Sequence, residues 1–180
     1  MRSHTKGSLL AIAIFCVAGS ARATDGLFDL GTFGGANGFA SDISGDGNVV
    51  VGTAGLPGGN GHAFRWTFSG GMQDLGAIGG PTSFALGTNQ DGSVITGSTG
   101  ATGFEHPFRW TSSEGMVDLG TLGGLNGFGR AVSSDGSTIV GQARLANADL
   151  HAFRWTSGGG LQDLGTAGGN SSFATAVSRD

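Results

Sequence analysis

The string His-Ala-Phe-Arg-Trp-Thr constrains the fold more than any other feature, because it occurs at 62–67, at 106–111 with Pro107 in place of Ala, and at 151–156. The copies are 44 and then 45 residues apart. Around the copies the same companions recur in the same order, a Leu-Gly segment with Gly-Gly, a Phe, an Asp-Gly pair and an apolar triplet ending in Gly. A period in the mid-forties holding four short strand-like runs is the signature of a β-propeller blade. The expected fold is all-β: four-stranded antiparallel blades at about 39–76, 84–120 and 128–165, plus partial strands at 27–31 and 173–178.

Within one repeat, strand A begins at Phe39, Phe84, Phe128 or Phe173. It turns through Asp46-Gly47, Asp91-Gly92 or Asp135-Gly136 into strand B, and Asp-Gly between β-branched runs is a hairpin signal because Gly accepts positive φ. Strand C is the His-Ala-Phe-Arg-Trp-Thr string, and strand D is Met72 to Gly76 and its equivalents. Seven residues always separate strand D from the next strand A, so this linker should be packed. A four-residue C to D loop would put Arg65 opposite Asp74, Arg109 opposite Asp118 and Arg154 opposite Asp163. Such cross-strand neighbours attract, and a partly buried Arg needs a partner. Strand C alternates His, Phe, Trp on one face with Ala or Pro, Arg, Thr on the other, and the aromatic face is expected to form the core between blades.

Residues 1–23 have the form of a secretory leader: Arg2 and Lys6, an apolar run from Leu9 to Ala18, then Ala21-Arg22-Ala23 as the cleavage pattern. The mature chain would start at Thr24 and be secreted, extracellular or periplasmic, with no membrane span. Phe15 before Cys16 argues against lipidation, since a lipoprotein leader needs a small residue there. The remaining 157 residues hold no cysteine and no lysine, and six arginines stand against thirteen carboxylates, a formal charge of −7. Stability must come from packing rather than disulfides. Without a basic stripe, nucleic acid is not an expected partner.

The unit Gly-Gly-x-x-[Ser/Gly]-Phe, Ser-x-Asp-Gly-Ser-x-Ile-Val-Gly, His-Ala-Phe-Arg-Trp-Thr and Gly-Met-x-Asp-Leu-Gly-Thr-Leu resembles the HAF family of bacterial extracellular repeats, named for the residues at 151–153. That resemblance spans essentially all of 24–180 and implies a secreted or cell-surface protein without established catalytic residues. The half-unit Ala131 to Val140 is similar, more weakly, to blades of TolB-like propellers, in which this hairpin forms the two innermost strands.

The chemistry on offer is sparse. His62, His106 and His151 fall on different blades and cannot converge on one ion, so each is read as an architectural residue bonding a loop. Gly87 and Ala131 replace Asp42 in the other repeats, which favours a hairpin over a cation loop. No Gly-x-Ser-x-Gly elbow is present, and the Gly-Gly linkers lack the Lys-Ser/Thr of a phosphate loop. Nothing calls for a cofactor. The one connection that varies in length and composition runs from B to C, and it carries Asn60, Glu105, Arg144, Asn147 and Asp149 as candidate ligand-facing groups. The reading is an exported, non-enzymatic binding or structural surface whose partner is a polysaccharide or a protein. A carbohydrate-active propeller enzyme and a piece of a larger cell-surface or autotransported protein are the alternatives. With three complete blades the ring is expected to be open or incomplete, leaving blade edges available for self-association.

Overall fold

The structure is a computed structural model and describes residues 27–178. The leader, with Ala21, Ala23 and Thr24, lies outside the described residues. Among the described residues twelve strands form three four-stranded antiparallel sheets, each a meander in chain order. The first holds β1 (Gly38–Ile43), β2 (Val49–Gly55), β3 (Gly61–Thr67) and β4 (Gly71–Asp74). The second holds β5 (Thr82–Thr88), β6 (Ile95–Gly100), β7 (His106–Thr111) and β8 (Gly115–Asp118). The third holds β9 (Gly123–Val132), β10 (Thr138–Leu145), β11 (Leu150–Thr156) and β12 (Gly160–Asp163). The all-β blade architecture read from the repeat is the architecture found. The innermost strands β1, β5 and β9 pack side by side around a shared axis.

The core lies between blades, because each sheet is apolar on both faces. Val49, Val51, Ala63 and Leu75 of the first blade meet Ala85, Ile95, Phe108 and Trp110 of the second. Phe153 and Ile139 of the third blade pack in the same way on Val94 and Leu119 of the second. Small and β-branched residues on one face thus receive the Phe and Trp of strand C from the next. Phe64, Phe108 and Phe153 are all fully buried, and each contributes about 1.5–3 kcal/mol by leaving water. Leu30 sits on Phe64 and Trp66 as Leu75 sits on Phe108 and Trp110. Residues 27–31 therefore pack where the repeat places a strand D, although they join no ladder; 173–178 likewise lie outside any strand.

The A to B turns form as the Asp-Gly signal predicts, with positive φ at Gly47, Gly92 and Gly136. Asp135 accepts hydrogen bonds from the Ser133 hydroxyl at 2.6 Å and the Ser137 backbone N–H at 3.0 Å. These bonds to the charged form hold its carboxyl down at about 2. Asp46 and Asp91 are lowered in the same way, chiefly by the Ser44 and Ser93 hydroxyls. Consecutive turns are tied together at this end of the axis, Asp46 N–H donating to Gln90 O and Gln90 N–H to Ser134 O.

The C to D register corrects the expected ion pairs. Gly71, Gly115 and Gly160 adopt positive φ and enter the ladder themselves, opposite Thr67, Thr111 and Thr156. The connection is therefore one residue shorter than expected, and every later pair moves by one. Arg65 faces Gln73, Arg109 faces Val117 and Arg154 faces Gln162, while Asp74, Asp118 and Asp163 stand opposite Phe64, Phe108 and Phe153. A one-residue shift moves a side chain to the other face of the sheet. The carboxylates thus lie on the face of the histidines, and His62, His106 and His151 meet Asp74, Asp118 and Asp163 through Nδ1 at 3.0, 2.8 and 2.9 Å. Each Asp also accepts a backbone N–H at 2.7 Å, from Gly76, Gly120 or Gly165, which pins the end of strand D. Arg65 and Arg109 reach the following blade instead, and Arg109 also pairs with Glu114 of its own C to D loop. Arg65 Nε donates to the Gly92 carbonyl at 3.1 Å, and the Arg109 guanidinium lies 6.0 Å from the Trp155 ring centre.

A second link between blades depends on the residue after each histidine. Ala63 N–H donates to the Ser83 hydroxyl at 2.8 Å, and Ser83 donates onward to the Gly76 carbonyl. Ala152, Ser172 and Gly165 repeat the arrangement. In the middle blade Pro107 has no N–H to offer, and the place of the serine is taken by Gly127, whose own N–H donates to the Glu105 carbonyl at 2.7 Å. The Ala-Ser and Pro-Gly combinations are thus matched sets, since a buried serine without that N–H would lose a partner. These bonds also show why the D to A linker has constant length.

Candidate functional site

Each innermost strand carries a β-bulge at the same place, and β9 has a further irregularity between Gly123 and Gly127. Ala40 and Asp42 pair with the consecutive residues Gly52 and Val51, which leaves Ser41 as the extra residue. Leu86 and Arg130 are extra in the same sense in β5 and β9. A bulge bends the strand and re-aims a side chain. Strand B permits it through glycine: a Cβ on Gly52, Gly97 or Gly141 would overlap the carbonyl oxygen of Phe39, Phe84 or Phe128.

Ser41, Leu86 and Arg130 all line one concave cleft of about 750 Å³ between the innermost strands, within the size range of small-ligand sites. Phe39, Phe84 and Phe128 line it as well, and Phe39 is 66% exposed and Phe84 37% exposed. These rings stand beside the axis rather than in the core between blades, which keeps aromatic surface open. The Arg130 guanidinium lies 5.6 Å from the Phe128 ring centre. Among the described residues no carboxylate forms an ion pair with it.

The rim of the cleft comes from the connections at one end of the blades. Asn37 of the D to A linker and Asn60 and Glu105 of the B to C connections line it. Glu105 accepts a hydrogen bond from Gly103 N–H at 2.9 Å. Arg144, Asn147 and Asp149 do not join this lining. Arg144 donates to Asn126 Oδ1 and to the Ala148 carbonyl, and Asn147 Nδ2 donates to Asp149 Oδ2 at 2.8 Å. Arg144 thus ties this connection to β9, and Asn147 and Asp149 bond within it. Of the five candidates from the variable loops, the structure brings Asn60 and Glu105 together at one cleft.

Sequence reasoning passed over Ser41, Leu86 and Arg130. A signal was present: two residues after the strand A Phe the repeat reads Ser41, Leu86, Arg130 and Thr175, while the residue between is Ala or Gly throughout. Side-chain size and charge that change so widely from repeat to repeat mark a place that packing does not dictate.

Three antiparallel four-stranded blades around a common axis, with a cleft between their innermost strands, define a β-propeller-type fold. Among solved structures, the chain is similar to TolB from Acinetobacter baumannii, with 21% identity and a TM-score of 0.55 over 71% of this chain and 32% of that one. It is also similar to a putative TolB from Agrobacterium tumefaciens, with 16% identity and a TM-score of 0.56 over 74% of this chain and 47% of that one. The chain thus spans 32% and 47% of the two solved chains it resembles, less than half of each, and the likeness is one of fold. No protein-family model matches the chain, and no curated protein matches it.

Proposed function

We propose that this chain is an exported, non-enzymatic binding module built from HAF-type repeats, and that it recognises its ligand in the axial cleft. The observation that carries this reading is the position of the variation. Strands C and D repeat almost residue for residue, whereas the three bulge residues differ completely and all face one cleft. Recognition groups held on a constant scaffold are the usual arrangement of a binding protein. The charged side chains of the lining are Glu105 and Arg130, and Glu105 is engaged by its own loop. That set suits holding a ligand better than the paired acid and base that hydrolysis of a glycan requires. Export follows from the leader pattern ending at Ala23.

A saturation-transfer NMR screen of soluble peptides, oligosaccharides and amphiphiles tests the site. Leu86→Trp, which fills the cleft from a half-buried bulge position, should abolish the signals that the parent protein gives, and Asn147→Ala should leave them intact. Signals indifferent to Leu86→Trp would overturn the axial assignment, and hydrolysis of any oligosaccharide in the panel would overturn the non-enzymatic one.

A further inference from the structure

Resting on the axial site just proposed, we infer that the cleft is built for a small apolar carboxylate, an aryl- or alkyl-carboxylic acid, rather than for a glycan. Three features converge on that chemistry. Phe39, Phe84 and Phe128, with Leu86, offer an apolar wall that a hydrocarbon body would cover. Arg130 is the cation of the lining, exposed and without an ion-pair partner among the described residues. A guanidinium presents a planar fork that matches a carboxylate. Its position over the Phe128 ring places the charge against the apolar wall, as an amphiphile with one anionic end requires.

The third feature is Ser98. It stands opposite Phe84 in the β5–β6 ladder, on the same face, and lines the cleft while only 1% exposed. Its hydroxyl is buried without a hydrogen-bond partner. Buried hydroxyls are normally satisfied, and leaving one unmet is costly. A carboxylate oxygen entering from the cleft is an acceptor for this donor.

A glycan is a poor complement to the same surface. Its many hydroxyls need a matching set of polar side chains, and the wall between the rim and Arg130 is mainly aromatic and aliphatic. Dispersion and burial therefore hold the ligand body, and one charge-assisted contact sets its orientation.

The test is isothermal titration of the purified protein with phenylbutyrate, with its neutral amide, and with a soluble malto-oligosaccharide. Phenylbutyrate should bind, and the amide should bind about tenfold more weakly or worse, the size expected of a hydrogen bond to a charged group. Arg130→Gln should remove that preference while leaving the thermal midpoint unchanged, since Arg130 is exposed. Ser98→Ala should raise the thermal midpoint and weaken phenylbutyrate, a combination that a purely structural serine would not give. Equal binding of acid and amide, or a preference that survives Arg130→Gln, would overturn the inference. Binding of the oligosaccharide alone, blocked by Leu86→Trp, would overturn it and leave the axial site standing. Binding of no probe would count against both.

Discussion

At the scale of single residues, the pairing of His with Asp is the result that the sequence pattern mispredicted, and it is open to direct test. A double-mutant cycle on His106→Ala and Asp118→Asn should give a coupling of about 0.3–1 kcal/mol, as for other partly exposed pairs. The cycle on Arg109→Ala and Asp118→Asn should be additive. The opposite result in urea titrations would restore the Arg-Asp pairing. Acid stability rests on three turn carboxylates and on Asp163, the partner of His151. Asp46, Asp91, Asp135 and Asp163 are lowered in the folded chain, Asp163 first by the Gly165 N–H and then by His151, with partial burial opposing. A depressed carboxylate stabilises fully above its unfolded value near 3.8 and loses that contribution as pH falls through its folded value, about 2 for Asp135. Stability should therefore fall across that interval. Asp135→Asn should flatten the fall, as read from unfolding midpoints at successive pH values; an unchanged slope would remove the turn carboxylate from the account.

At the scale of elements, the junction between strand C and the next strand A is specified by matched residues. Ala63→Pro removes the N–H that Ser83 accepts, and Ser83→Gly removes the hydroxyl. Each change alone should cost about 1–3 kcal/mol by stranding a buried partner. Together they should cost clearly less than their sum, because they reproduce the Pro107 and Gly127 combination of the middle blade. Additive losses in denaturant titrations would mean that the hydroxyl contributes no link between blades. Strand assignments were legible because β-branched runs and Asp-Gly turns are local signals. The C to D register was not, because it depends on whether one glycine adopts positive φ inside or outside the ladder, and the composition Gly-Gly before Met72 allows both.

At the scale of the whole molecule, burial depends on which faces meet a neighbour. Leu75 and Leu164 occupy the same repeat position, yet Leu75 is 8% exposed between two blades and Leu164 is 55% exposed on the third. Leu75→Arg should cost several kcal/mol as a buried unpaired charge, and Leu164→Arg should stay within about 0.5 kcal/mol. Equal losses in thermal melts would mean that the third blade's face is covered in solution. The sequence alone determined the strand order, the blade repeat and the apolar alternation of strand C, because these follow from local propensity and a period repeated three times. It also marked which connections vary. Only the tertiary structure decided which charged side chains meet and where a ligand would sit. Those depend on bulges at Ser41, Leu86 and Arg130 and on residues about 45 positions apart converging on one axis, and no local signal encodes the angle at which one blade packs against the next.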